Sequence, residues 1–182
     1  MPAPIEAAVA DASRPAADKE RDATRKPAET VAFAGVKPGM MVAELGPGGG
    51  YYTRILAKAV GPKGKVYALV TAAQAGRPGG LDALNAIAKD NPNVQVLTID
   101  YKTLQLPEKV DLAWTTENYH DFHNGPTADI AALDKGIFDN LKAGGIFYVE
   151  DHAAANGAGL EATSKLHRMD PDLAKKELTA AG

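Results

Sequence analysis

Two short segments hold most of the side chains that could move a proton. The first is ENYHDFH, at positions 117 to 123, and the second is Asp151-His152. A histidine side chain has an unperturbed pKa of about 6.5, so a positioned imidazole can accept a proton at neutral pH. A nearby carboxylate can fix its tautomer and stabilise its cation. We therefore predict His120 as a general base, with Asp121 as its partner or as a contact to the substrate.

The same two segments also contain side chains that bind metal ions. Imidazole and carboxylate groups bind zinc or harder divalent ions, and the candidates are Glu117, His120, Asp121, His123, Asp151 and His152. The His-x-x-His spacing in a loop lacks the i, i+4 register on a helix that strong metal motifs use. We assign no metal ligand from the sequence, and a metal-binding protein stays open as an alternative.

A third segment, ELGPGGGYY at positions 44 to 52, has the composition of a ligand-binding turn. Glycine permits positive φ and, having no Cβ, lets a ligand lie against the backbone. The helix that begins after the turn offers free N–H groups to an anionic group. A dinucleotide fingerprint counted from Gly46 needs glycine at its sixth position, where the chain has Tyr51. This mismatch disfavours an NAD-dependent oxidoreductase.

These segments follow apolar runs that alternate with helical patterns. The runs predict strands at 40–45, 65–70, 94–100, 110–116 and 146–152. The helical patterns cover 27–34, 51–60, 81–90 and 127–143, before a polar helical tail from about 159. The helix over 127–143 has a stripe of Ile130, Leu133, Ile137 and Leu141, and Gly144 ends it. The alternation predicts an α/β, Rossmann-like, doubly wound fold with a mostly parallel sheet, whose ligand crevice lies at the carboxyl ends of the strands.

The start of the chain differs in composition from the rest. Residues 1–30 contain nine alanines and four prolines, and their only large apolar side chains are Met1, Ile5 and Val9. A segment of this kind can bury little apolar surface. We predict a loosely ordered arm over residues 1–26 and one domain over 27–182.

The composition of the whole chain limits its partners. The formal net charge is -3, which gives no electrostatic reason to expect nucleic acid as a partner. No apolar run is long enough to span a bilayer. The chain has no cysteine, so disulfides, thiolate metal sites and a cysteine nucleophile are excluded.

The segment VKPGMMVAELGPGGGYYTRILAKAVGPKGKVYAL, at positions 36 to 69, resembles class I S-adenosylmethionine-dependent methyltransferases. The similar features are the Lys-Pro-Gly turn, the acid-x-Gly-x-Gly motif after the first strand and the Gly-Pro-x-Gly link into the second. The resemblance covers about residues 26 to 180 and is strongest to a bacterial branch of predicted methyltransferases. It implies a sheet of order 3-2-1-4-5, here without the usual C-terminal strands six and seven.

The resemblance also implies the cofactor, S-adenosylmethionine, and the residues that bind it. The glycine loop would lie under its methionine portion, Glu44 would orient its amino group, and Asp100 would accept from the adenine amino group. The full set is Glu44, Gly46, Gly48, Gly49, Gly50, Tyr51, Asp100, Tyr101 and Glu117. Tyr51 and Tyr119 are expected to line the site. The family commonly has an acid at the end of strand two for the ribose hydroxyls, and this chain has none there.

We therefore predict a methyltransferase that acts on a small-molecule acceptor. The main alternative is a non-catalytic module that binds a nucleoside or the cofactor, which the short C-terminal part favours. The Ala/Pro-rich start resembles what remains after cleavage of an export signal. The expected location is accordingly the cytoplasm or, after such cleavage, the periplasm.

Overall fold

A computed structural model describes residues 1–125 and 128–182. Its centre is a five-stranded parallel sheet of order β3-β2-β1-β4-β5. The strands are β1 Met41–Leu45, β2 Lys65–Thr71, β3 Val94–Ile99, β4 Val110–Thr116 and β5 Leu141–Glu150. The predicted α/β, Rossmann-like fold with strand order 3-2-1-4-5 is thus confirmed.

Ten helices surround or extend this sheet within the described residues. They are α1 Ala3–Val9, α2 Ala16–Glu20, α3 Asp22–Arg25, α4 Pro27–Phe33, α5 Tyr51–Val60, α6 Ala72–Ala75, α7 Asp82–Asp90, α8 Ile130–Asn140, α9 Glu161–Leu166 and α10 Pro171–Ala181. Two 3₁₀ turns, Tyr101–Thr103 and His120–His123, follow β3 and β4. Among the helices of the described ranges, none combines the length and the apolar character that a membrane span requires.

The sheet separates two apolar layers. Alternate side chains of each strand point to opposite faces, so Val42 of β1 packs in one layer and Ala43 in the other. The first layer contains the buried face of α5, including Ile55 and Leu56. The second contains the buried stripe of α8. The inner strands β1, β2 and β4 are buried along almost their whole length, because an apolar layer covers each face of the sheet.

The helix predicted over 127–143 ends earlier than its apolar stripe indicates. Helix α8 stops at Asn140, and Leu141 begins β5, where it pairs with Val110. The Asn140 side chain donates to the backbone oxygen atoms of Leu104 and Gly136, at 3.0 and 2.8 Å, and so ends the helix against a neighbouring loop. The predicted first residue of this helix, Thr127, lies outside the described residues.

The N-terminal segment packs more closely than its composition predicts. Helix α1 lies against α5, and the side chains of Ile5 and Ala8 are 1% and 3% exposed. Ion pairs compensate for the scarcity of apolar residues: the Arg14 guanidinium contacts both carboxylate oxygens of Asp22, at 2.6 and 2.9 Å. The division into an arm and a domain at residue 26 stays a prediction.

If α1 stabilises the fold by packing on α5, Ile5→Ala should lower the free energy of unfolding by about 2–5 kcal/mol, because it leaves a cavity in the apolar layer. Denaturant unfolding followed by circular dichroism measures this change. Phe33→Ala is the matched control, because Phe33 is 85% exposed and its loss should change stability by less than about 0.5 kcal/mol. Equal unfolding of wild type and Ile5→Ala would show that the segment is loosely attached.

Candidate functional site

The carboxyl ends of β1 and β4 open into a cavity of about 180 Å³, which we call the glycine-loop cavity. One wall is the loop after β1, the second is the loop after β4, and the third comes from α2 and α3. The residues that line it are Asp18, Arg21, Arg25, Glu44, Leu45, Gly46, Pro47, Gly48, Gly49, Tyr51, Tyr52, Trp114, Thr116, Glu117 and Asn118. Six of the nine predicted cofactor-binding residues line this one cavity: Glu44, Gly46, Gly48, Gly49, Tyr51 and Glu117.

The structure gives different reasons for the presence of glycine at the four predicted positions. Gly46 and Gly48 have φ of +64° and +55°, a region that side chains with a Cβ rarely adopt. Gly49 lines the cavity, and a Cβ there would have no heavy-atom neighbour within 4 Å in the described chain. Gly50 precedes α5 with a φ of +83°, and a Cβ there would also lie against the end of the Ile87 side chain. The backbone conformation therefore favours glycine at position 50, whereas a side chain at Gly49 would meet no atom of the described chain.

Asn118 connects the two loops that form this cavity. Its side-chain amide donates to the Gly46 carbonyl at 3.0 Å and to the Thr116 carbonyl at 2.6 Å. A Cβ on Gly46 would lie only 2.9 Å from the Asn118 Cγ. The glycine loop and the loop after β4 are therefore held in contact at this point.

Glu44 places a buried carboxyl group at the end of β1. The residue is 3% exposed, and its Oε2 accepts a hydrogen bond of 2.6 Å from the Thr53 hydroxyl. Burial raises the pKa of Glu44 to about 7, although the Thr53 hydrogen bond acts in the opposite direction. Near neutral pH this group can take or lose a proton, and a cation bound in the cavity would favour its ionised form.

Aromatic rings form the deep side of the cavity. Tyr52 packs against Tyr51 with ring centroids 4.8 Å apart and against Trp114 at 5.0 Å. The Trp114 indole Nε1 is buried without a hydrogen-bond partner among the described residues. Aromatic faces attract cations, and a buried N–H donor commonly pairs with a ligand or with water.

Charged side chains of the N-terminal helices lie against these aromatic rings. The Arg25 guanidinium lies 5.0 Å from the centroid of the Tyr51 ring and forms an ion pair with Glu117. Asp18 accepts from the Arg54 guanidinium at 2.9 Å, and the Tyr51 hydroxyl donates to Asp22 at 2.6 Å. The sequence analysis did not predict that Asp18, Arg21 and Arg25 line the cavity, because charged residues in this segment are typical of a loosely ordered, solvated arm.

Glu117 stands at the end of β4 in an unusual backbone conformation. Its φ is +57°, one of three positive values at non-glycine residues in the described chain. Its N–H donates to the Glu150 carbonyl at 2.8 Å, so the backbone is held although the conformation is disfavoured. Such strain occurs often at functional sites.

A second cavity, of about 300 Å³, lies at the carboxyl ends of β2 and β3. We call it the β2–β3 cavity; Thr71, Ala72, Ala73, Ile99, Asp100, Tyr101 and Lys102 line it. Asp100 is exposed, and one of its carboxylate oxygens accepts from the Lys102 N–H at 2.9 Å. Burial raises the pKa of Tyr101 to about 12. The two predicted cofactor residues after β3 therefore line a cavity separate from that of the glycine loop.

His120 is buried, and its partner is Asp151. The His120 Nδ1 lies 2.8 and 2.9 Å from the two carboxylate oxygens of Asp151, which also accepts from the His120 N–H at 2.8 Å. A carboxylate only accepts hydrogen bonds, so Nδ1 carries a proton, and in the neutral imidazole the lone pair is on Nε2. Asp121 Oδ1 lies 3.4 Å from Nε2, on the other side of the ring. The carboxylate that orients the imidazole is thus Asp151 rather than Asp121.

The other polar side chains of this segment have structural partners. His123 bonds through Nδ1 to the Tyr119 carbonyl and through Nε2 to Glu177, both at 2.9 Å. Tyr119 was expected to line the site, but its ring is fully buried and its hydroxyl donates to Asp134 at 2.8 Å. It belongs to the core because the 3₁₀ turn directs it under α8.

Comparison with known proteins gives similar structures but no similar sequences. No protein-family model and no curated protein match the chain. An S-adenosylmethionine-dependent methyltransferase from Aquifex aeolicus is similar over 91% of this chain and 87% of its own, with a TM-score of 0.65 and 21% identity. The chain has the fold of the S-adenosylmethionine-dependent methyltransferases. This confirms the predicted resemblance for the fold, while the bacterial branch stays a prediction.

Two further structures extend this finding. An arsenic(III) S-adenosylmethionine methyltransferase from Chlamydomonas reinhardtii matches 100% of this chain at 21% identity and a TM-score of 0.66. Fibrillarin from Aeropyrum pernix, solved with bound S-adenosylmethionine, matches 81% at 18% identity and a TM-score of 0.54. The present chain covers only 62% and 58% of those two proteins.

The raised pKa of Glu44 predicts a pH-dependent cost to folding. Its folded pKa of about 7 exceeds the ordinary value of 4.5, so its contribution to stability is complete below pH 4.5 and is lost as the pH rises through 7. Relative to Glu44→Gln, the wild type should lose up to ~3 kcal/mol of unfolding free energy between pH 5 and pH 8. Denaturant unfolding at both pH values measures the difference.

The exposed residue Glu161 supplies the control for this experiment. Its side chain is 88% exposed, so Glu161→Gln should follow the wild type at both pH values. The same pH dependence in wild type and Glu44→Gln would contradict the assignment of the cost to Glu44.

Proposed function

We propose that the protein is an S-adenosylmethionine-dependent methyltransferase that acts on a small-molecule acceptor. The observation that carries this proposal is the glycine-loop cavity at the end of the central strand, which is lined both by Glu44, a buried acid, and by the glycine loop. The methyltransferase fold of the whole chain supports it.

The residues of the glycine-loop cavity fit the methionine portion of the cofactor. Glu44 would pair with the ammonium group, and the lack of a side chain at Gly49 would let the amino-acid part lie against the backbone. The unpartnered indole N–H of Trp114 is a further donor for a bound group.

The β2–β3 cavity fits the nucleoside portion. It lies one strand farther along the same edge of the sheet, and Asp100 and Tyr101 offer it a carboxylate and an aromatic ring. The Thr71 hydroxyl already accepts from the Gln74 N–H at 3.2 Å, so it offers the ribose only its remaining hydrogen-bonding capacity. We therefore expect modest affinity, because no carboxylate follows β2.

The cofactor, when bound, supplies an activated methyl carbon. An acceptor oxygen or nitrogen uses its lone pair to form the new bond to this carbon, and S-adenosylhomocysteine leaves. His120 Nε2 would take the proton that the acceptor loses, and the Asp151 carboxylate would stabilise the resulting imidazolium. Asp121, which is half-exposed beside Nε2, would contact the acceptor.

A small molecule is the proposed acceptor because the chain offers little to a nucleic acid. Its net charge is -3, whereas binding to a phosphate backbone depends on clustered Lys and Arg. Two arginines line the cavity, Arg21 and Arg25, and Arg25 is paired with Glu117.

Cofactor binding is tested by calorimetric titration with S-adenosylhomocysteine, with NADH as the control ligand. Micromolar binding of the first and no binding of the second are expected. Gly49→Val should lower the affinity for S-adenosylhomocysteine at least about tenfold, because its side chain would occupy the ligand's place while open space keeps the fold intact. An unchanged unfolding midpoint is the control.

Two results would contradict this part of the proposal. Binding of NADH alone would favour the oxidoreductase alternative. Equal affinity of wild type and Gly49→Val for S-adenosylhomocysteine would remove the glycine loop from the site.

The role of His120 is tested after small molecules have been screened for acceptor-dependent formation of S-adenosylhomocysteine. His120→Gln should lower turnover by about 10²–10⁴-fold, because a neutral amide cannot accept the proton, and should leave the affinity for S-adenosylhomocysteine unchanged. His152→Ala is the matched control: His152 is exposed just after the neighbouring strand β5, and the variant should retain wild-type turnover. Wild-type turnover in His120→Gln would exclude the general-base role.

A further inference from the structure

We propose that His120, Asp121 and His167 form a binding site for a first-row divalent metal ion such as Zn²⁺. We call these three residues the His-Asp-His cluster. One potential ligand atom of each lies within 4.8 Å of the other two. This departs from the sequence analysis, which assigned no metal ligand and did not consider His167.

The distances within the cluster suit tetrahedral coordination. Asp121 Oδ1 lies 3.4 Å from His120 Nε2 and 3.6 Å from His167 Nδ1. Ligands at about 2.0–2.1 Å from a tetrahedral zinc ion are separated by roughly 3.4 Å. Two of the three separations are therefore close to what the ion requires without any movement of the chain.

Asp151 prepares His120 to act as a ligand, although it lies outside the cluster. It accepts a hydrogen bond from Nδ1, so in the neutral imidazole Nε2, which lies 3.4 Å from Asp121 Oδ1, is the nitrogen that can bind an ion. In metalloproteins a ligating histidine commonly donates its other ring N–H to a carboxylate, which fixes the ring and makes it more basic. The Asp151 and His120 side chains are only 6% and 4% exposed, so this arrangement is firmly held.

His167 is brought to the cluster by the chain that follows β5. It ends α9 with a φ of +50°. Two backbone hydrogen bonds of 2.8 Å, from the Met169 N–H to the His152 carbonyl and from the Ala154 N–H to the Met169 carbonyl, hold this turn beside the end of β5. Its side chain is 68% exposed, so the small movement that would complete the site is possible.

Two imidazoles and one carboxylate are a ligand set that zinc and similar ions bind in proteins. Three protein ligands leave one position of a tetrahedral ion free for water or another small ligand. The exposed side of Asp121 and His167 gives the ion access from solvent.

Metal binding has a consequence for catalysis, which rests on the proposed function. His120 Nε2 has one lone pair, which cannot bind a metal ion and accept a proton at the same time. Added Zn²⁺ should therefore inhibit methyl transfer, and a chelator should restore it.

The proposal is tested without any methyl donor. Protein stripped with EDTA is titrated with Co²⁺, whose visible spectrum reports tetrahedral coordination, and with Zn²⁺ by calorimetry. One ion per chain is expected to bind. His167→Ala and Asp121→Asn change exposed side chains and should each weaken binding at least about tenfold.

His152→Ala is the matched control and should bind the ion as the wild type does, because its exposed imidazole is outside the cluster. Asp151→Asn should weaken binding by about 10–100-fold through the orientation of His120. Absence of binding, or binding that survives both His167→Ala and Asp121→Asn, would overturn the proposal. Titration of the same preparations with S-adenosylhomocysteine separates this outcome from failure of the proposed function, because the glycine-loop cavity shares no residue with the cluster.

Discussion

The position of β1 between β2 and β4 is the constraint on which the site depends. Glu44 lies in register with Ala68 on one side and with Trp114 on the other, so the carboxyl end of β1 lies between β2 and β4. The chain leaves β1 through the glycine loop at the point where the strand order reverses, and a crevice forms there. Every group that we assign to the cofactor's methionine portion lies within a few residues of this point or packs onto it.

The N-terminal segment shows how charged residues can attach a chain with few apolar side chains. Asp11, Asp18 and Asp22 pair with Lys58, Arg54 and Arg14 at 3.5, 2.9 and 2.6 Å. Exposed pairs of this kind stabilise little, but Arg14 is buried and contacts its carboxylate with two nitrogens. The segment thereby brings Arg21 and Arg25 over the aromatic side of the glycine-loop cavity.

The elements of the fold were predictable because their signals are local. The glycines after β1 and the apolar pattern of α5 lie within a few residues of the structures that they specify. The predicted strand order put the segments of His120 and Asp151 at neighbouring strand ends, but the specific contact between these two residues, 31 positions apart, was not predicted. It depends on the pairing of β4 with β5, which aligns Thr116 with Glu150. Arg25 and Glu117 are separated by 92 residues, and no local pattern connects them.

The buried carboxyl groups of Asp134 and Glu44 have different surroundings. Asp134 and Glu44 both have a raised pKa, to about 6 and about 7, chiefly because burial disfavours their charged forms. Asp134 lies in the core, where it accepts the Tyr119 hydroxyl and ties the 3₁₀ turn to α8. Glu44 has one hydrogen-bond donor, Thr53, and also faces a cavity lined with aromatic rings. Burial disfavours the ionised form of Glu44 in the free protein, and a cation in the cavity would favour it. The two groups therefore differ in what they face: Asp134 meets a hydroxyl donor in the core, whereas Glu44 lines a cavity in which the ammonium group of a methyl donor would stabilise its charge.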